Sequence, residues 1–135
     1  MSKQRLVDTN LIVRYLVQDH EPHGKAAAKL FDACDRGDLV MVLLSTVLAE
    51  SVFVLESFYA HRREDIASAL GTLVSSPGVE MDEPAIHLDA LERYRKTKVH
   101  FVDCLIAATA SAKNIPVATF DRDFRKFADV RVDAR

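Results

Sequence analysis

Cysteine is scarce in this chain. Only Cys34 and Cys104 occur among 135 residues. They fall in separate helical stretches without a CxxC spacing, which excludes a disulfide framework and a cysteine-based zinc site. Buried, reduced thiols are the expectation, and they suit the cytoplasm. Long apolar runs are missing too. The longest, Leu39–Leu44, is far below the ~20 residues needed to span a membrane. The opening stretch MSKQRLVD has no apolar core long enough for a signal peptide. No GxGxxG or Walker-type loop is present, so a nucleotide cofactor is not indicated. An excess of basic residues, common in nucleic-acid binders, is also lacking, since the formal net charge is −2. Distribution outweighs the sum, however. If acids gather around a divalent metal, the remaining surface is effectively basic.

What is present is ordinary globular material, with 49% hydrophobic and 28% charged residues. That supports a real core and argues against disorder. The length fits one compact domain over residues 1–135. No internal repeat, low-complexity segment or long linker breaks it.

Periodicity predicts strands alternating with helices. Leu6-Val7 ends a first strand, and Thr9 or Asn10 caps the helix that carries Leu11, Ile12, Tyr15 and Leu16. A second helix runs from His23 to about Asp35. Leu39–Leu44 reads as a fully buried strand. Ser45 is the N-cap expected for a long helix to about Tyr59, and another helix covers Arg63 to Leu73. Ser75-Ser76-Pro77-Gly78 is a turn, followed by the short strand Val79–Met81. Glu83 to Arg95 and Phe101 to Lys113 are helical. Pro116–Phe120 is a strand, Asp121–Phe127 a short helix and Val130–Val132 a last strand. This alternation implies an α/β fold with a mainly parallel sheet.

In open α/β folds, ligands bind beyond the carboxyl ends of the strands. Asp8 and Asp121 fall at such ends. Glu50 and Asp103 sit in apolar helical surroundings, where an ionised carboxylate is costly to bury. Converging carboxylates repel one another, and a hard divalent cation relieves that repulsion. Each acid also has a structural reading. Asp8 can cap a helix, while Asp103, Asp121 and Asp123 can complement helix dipoles. Periodicity leaves open whether the acids converge.

The stretches LVDTNLIVRYLVQD, LAESVFVLESFY and FVDCLIAATASAKNIPVATFDRDF occur in this order. Together they resemble the three acidic blocks of PIN domains, particularly the VapC toxins of bacterial toxin–antitoxin pairs. The resemblance covers nearly the whole chain. It implies a three-layer α/β/α sandwich around a central, mainly parallel five-stranded sheet. It implies an Mg²⁺- or Mn²⁺-dependent endoribonuclease that hydrolyses structured RNA such as tRNA or rRNA. On matching positions, Asp8, Glu50, Asp103 and Asp121 form the catalytic and metal-binding set. Asp123 is an auxiliary acid, and Asn10 and Thr119 are polar residues that orient the site. A homodimer is implied, as is a VapB-type antitoxin whose tail presents a basic residue to the acids. A PIN-like module that binds RNA or protein without cutting is the alternative. Receiver-type and haloacid-type phosphoryl transfer fit poorly, because the first strand ends in Asp8-Thr9-Asn10.

RNA binding needs cations near the acids. Arg14 and Arg122 are favoured, ahead of Arg62, Arg63, Arg93, Arg95, Lys96, Lys98 and Arg125, for most of which a solvated helix face is the better reading. His20, His23, His61, His87 and His100 show no ligand spacing and read as surface or loop residues, with His100, near Asp103, also a candidate to touch substrate. Ser45 reads as a cap rather than a nucleophile. Phe53, Phe58 and Tyr59 read as core or dimer interface rather than a base-stacking platform.

Overall fold

The protein is described from a computed structural model covering residues 3–135. Met1 and Ser2 of the stretch MSKQRLVD lie outside the described residues. The chain divides into two units, the first ending at Pro84 and the second spanning Ala85–Arg135.

The first unit carries β1 (Gln4–Leu6), α1 (Thr9–Val17), α2 (Glu21–Asp35), β2 (Val40–Val42), α3 (Ser45–Ser57), α4 (Arg63–Ser75) and β3 (Val79–Glu80). Its strands form a parallel ladder in the order β1-β2-β3, with Arg5 opposite Met41 and Met41 opposite Val79. Parallel neighbours need crossover connections, and here paired helices supply them. Helix α1 packs on α2 and α3, with Ile12 and Val13 buried on its inner face. Helix α3 turns Leu48, Val52 and Leu55 inward at helical spacing. Truncating Leu48, which has no exposed surface, to alanine is expected to cost about 2–5 kcal/mol.

Helix α1 begins at Asp8, whose carboxylate accepts a hydrogen bond from the Leu11 amide. The cap is therefore Asp8, not Thr9 or Asn10. The extended backbone of Leu44 starts α3, and Ser45 is already helical, so the expected Ser45 cap is displaced by one residue. The run Leu39–Leu44 is not uniformly buried. Met41 and Leu43 point inward, while Leu44 is exposed, so the strand alternates with period two.

The second unit holds α5 (Pro84–Lys96, its first residue at the boundary), α6 (Phe101–Lys113), β4 (Val117–Ala118), a 3₁₀ helix (Arg122–Lys126) and β5 (Val132–Asp133). Strands β4 and β5 pair in parallel. Phe101, Cys104, Ala107, Ala108 and Ala110 form the buried face of α6, and Tyr94 of α5 meets Phe101 edge-on. Asn114 closes α6 in the left-handed conformation.

The expected α/β alternation is present, with all five strands. Among the described residues the strands form a three-stranded and a two-stranded ladder, in place of the single five-stranded sheet that was expected. Each strand is two or three residues long, and such short strands give each ladder few rungs. The apolar stretches read from the sequence extend past these rungs into loop.

Candidate active site

Asp8 and Glu50 belong to the first unit, and Asp103, Asp121 and Asp123 to the second.

In the first unit, Asp8 sits where β1 hands over to α1 and is exposed. One of its oxygens is engaged by the Leu11 amide at 2.9 Å. A shallow cleft of about 260 Å³ is lined by Asp8, Asn10, Leu11, Arg14, His23 and Ala26. Asn10 also lines a second cleft, of about 270 Å³, with Thr9, Val13, Glu50, Val54, Phe58 and Tyr59. Asn10 thus stands at the margin of both clefts, one with Asp8 and the other with Glu50. Glu50 is exposed, so the expectation that its apolar neighbours would bury it is wrong. Helix α3 is apolar on its outer side as well, where Phe53 lies 64% exposed.

Arg14 does not extend freely toward the acids. Its guanidinium meets Asp19 at 2.8 Å. The other Asp19 oxygen accepts from the Tyr59 hydroxyl at 2.9 Å. The Tyr59 bond, with Arg14 adding, holds the Asp19 carboxyl below its ordinary value, and the same bond pushes the Tyr59 phenol up. Sequence reading missed this brace. Its only signal was an acid just beyond the helix that carries Arg14.

In the second unit, Asp103 lies in the first turn of α6, half-buried. Burial pushes its carboxyl up, the charges of Asp121 and then Asp123 push it further, and His100 opposes them. Asp121 caps the 3₁₀ helix by accepting from the Asp123 amide at 2.9 Å. Its own amide donates to the Thr119 hydroxyl at 2.9 Å. Thr119 therefore fixes the backbone that carries Asp121. Asp123 pairs with Lys126 at 3.2 Å. Within each unit, among the described residues, no three His, Cys, Asp or Glu side chains close into a ready-made metal cage. The donor chemistry nevertheless fits a hard divalent cation. The donors are carboxylates, and one of them is half-buried and electrostatically crowded by two others.

A PIN-domain family model matches residues 5–130. The chain belongs to the PIN-domain family. This PIN chain is similar to a protein of Aquifex aeolicus (strain VF5) named VapC ribonuclease, at 26% identity over 90% of each chain. No solved structure matches it significantly.

Several other cations of this PIN chain are engaged in ion pairs. Arg93 is tied to Asp89 and Asp129 and lies over the Phe127 ring, so it locks the second unit together. Arg95 and Lys96 pair with Glu92 and hold its carboxyl down to about 2. Arg62 pairs with Asp65, and Arg63 with Glu56. Arg122, Arg125 and Lys98 are exposed. Both cysteines are buried thiols, as expected. His87 departs from the surface reading, since α5 turns it inward to 5% exposure beside Ala90 and Leu91. Phe53 and Phe58 are not core residues, the latter being 84% exposed. No helix among the described residues is long and apolar enough to cross a membrane.

Proposed function

We propose that this PIN chain is a metal-dependent endoribonuclease, the VapC-type toxin of a toxin–antitoxin pair, hydrolysing phosphodiester bonds in structured RNA such as tRNA or rRNA. The observation that carries the reading is the carboxylate crowding in the second unit. Asp103 is half-buried, and its proton affinity is raised by that burial first and then by the charges of Asp121 and Asp123. A fold that keeps such repulsion gains most when a cation neutralises it. In the second unit, Asp103 and Asp121, with Asp123 auxiliary, would hold Mg²⁺ or Mn²⁺, and in the first unit Asp8 and Glu50 are the proposed catalytic and metal-binding acids. When bound, such an ion stabilises charge on phosphoryl oxygens and activates water.

The chain's own residues then orient and bind. Thr119 anchors the Asp121 backbone, and Asn10 stands beside the clefts of Asp8 and Glu50. Arg122 is exposed next to Asp121 and is available to a phosphate. Arg14 would meet RNA with a guanidinium that is already paired with Asp19 through one nitrogen. The protein acts in the cytoplasm as a homodimer and is silenced by a VapB-type antitoxin that offers a cation to the acids.

The test is cleavage of a tRNA and total-RNA pool with Mg²⁺ or Mn²⁺, with EDTA, and with Asp8→Asn. Discrete products that need both metal and Asp8 support the reading. Equal cleavage by Asp8→Asn sinks it. The alternative, a PIN-like module that binds RNA or protein without cutting, is favoured by the use of Asp8 as a helix cap. Tight metal-independent RNA binding without products would select it.

A further inference from the structure

Phe58 stands where α3 should continue its buried face. Leu48, Val52 and Leu55 all point inward, and a residue three beyond Leu55 should follow them. Instead Phe58 forms the C-cap of α3 and is 84% exposed. The chain then turns through Ala60, whose φ of 53° lies in the left-handed region, a conformation that alanine adopts only at a cost. The loop that results displays rings in succession. Phe58 and Tyr59 have centroids 6.5 Å apart, and Tyr59 and His61 6.1 Å apart. Tyr59 is held by its bond to Asp19, so this aromatic wall has a fixed backing.

The wall borders the cleft that contains Glu50, Asn10 and Thr9. Its lining combines the rings of Phe58 and Tyr59, apolar surface from buried Val13 and half-buried Val54, and a carboxylate, an amide and a hydroxyl. A nucleobase has this composition in reverse, an apolar flat face with a hydrogen-bonding edge. Basic residues follow at once. His61 is exposed, and Arg62 is 73% exposed in a surface pair with Asp65. Such a pair is weak and exchanges readily for a phosphate. Aromatic rings beside cations are the usual platform for single-stranded nucleic acid. A second copy of the chain fits less well. Phe53, the other exposed phenylalanine of the α3 region, is five positions away and about 140° around the helix axis, so the two rings make no common stripe.

We propose that Phe58 is a base-stacking residue that receives an unpaired nucleobase of the RNA beside Glu50. This rests on the ribonuclease reading and adds to it the residue that selects where the strand is opened.

The chain contains no tryptophan, so Phe58→Trp introduces a single indole that can be excited apart from the three tyrosines. In an Asp8→Asn background, titration with a short unstructured RNA of mixed sequence should quench it saturably, and inorganic polyphosphate should not. In the otherwise wild-type chain, Phe58→Ala should lower kcat/KM about ten-fold or more and shift the cut-site preference. Its melting temperature should be unchanged, and Phe58→Tyr should restore activity. Binding of labelled RNA, followed by anisotropy, without quenching would overturn the proposal. So would a Phe58→Ala enzyme that cuts like wild type while Asp8→Asn is dead, and that result would leave the ribonuclease reading intact. An emission change that depends on protein concentration without RNA would assign Phe58 to self-association instead. If no RNA is cut, saturable quenching still supports the stacking role while the ribonuclease reading falls, and absence of RNA binding overturns both.

Discussion

At the scale of single residues, Asp8 carries two demands on one side chain. It caps α1 through the Leu11 amide, and the proposed chemistry needs its negative charge. Two substitutions separate these demands. Asparagine caps about as well as aspartate, so Asp8→Asn should leave stability almost unchanged while metal-dependent cleavage falls by roughly 100-fold or more. Asp8→Ala should lose the activity and also about 1 kcal/mol of stability. Thermal melts beside cleavage rates check this, and equal stability of the two variants would remove the capping role. Asp103 allows a test of sign. Its carboxyl is raised by burial first and by Asp121 next, so the metal-free fold loses stability as pH rises through that raised value. Asp103→Asn in EDTA should therefore melt higher than wild type at neutral pH, and the gain should vanish as pH falls and the wild-type carboxyl protonates. A variant that melts lower at neutral pH would mean that Asp103 is not repelled. The half-burial of Asp103 was legible in its neighbours Phe101 and Cys104, both of which are buried. The exposure of Glu50 was not legible in the same way. Apolar context says nothing about direction, whereas the spacing does, because Glu50 lies about 200° around the axis from buried Leu48.

At the scale of elements, the second unit depends on a lock between α5 and the segment after its 3₁₀ helix. Arg93 of α5 bonds Asp129 with two nitrogens and Asp89 with a third, and its guanidinium lies 5.2 Å from the centre of the Phe127 ring. The Arg93 bond holds the Asp129 carboxyl well below the ordinary range, with help from the Ser111 hydroxyl. A depressed carboxylate contributes stability above its unfolded value of about 3.9 and loses it as pH falls through the folded value. Melting temperature should therefore decline below about pH 4, and Asp129→Asn should flatten that decline while costing about 1 kcal/mol at neutral pH. The estimate is modest because Asp129 is half exposed. Identical acid profiles for wild type and variant would show that the lock contributes nothing. Sequence reading placed Arg93 among possible RNA contacts because its partner Asp129 is remote in the chain. The elements themselves were legible where periodicity is long. Helix α6 begins and ends as predicted, with Phe101 and Asn114 at its limits. Strand ends were overextended, because Leu44 and Phe120 are apolar yet exposed and apolarity alone does not mark the last rung of a ladder.

At the scale of the whole molecule, the charge pattern bears on how RNA would be held. The net charge is −2, and the cations that sequence reading nominated are largely spent on internal pairs. Arg14, Arg62, Arg63, Arg93, Arg95 and Lys96 all face a carboxylate within 3.3 Å. Each phosphate contact made by one of these residues competes with an existing ion pair, which offsets part of the gain. Of the nominated cations, exposed Arg122, Arg125 and Lys98 would then supply most of the direct phosphate contacts. Counterion release then involves about three phosphates, and the slope of log kcat/KM against log salt should be no steeper than about −3. If stacking at Phe58 supplies the rest of the affinity, Phe58→Ala should lower kcat/KM at every salt concentration and leave the slope unchanged, whereas Arg122→Gln should make it shallower by about one. Cleavage rates from low to moderate salt, at fixed Mg²⁺, measure all three slopes. A wild-type slope near −8 would mean that the paired arginines are released on binding, and the internal ion pairs would then be part of the recognition surface.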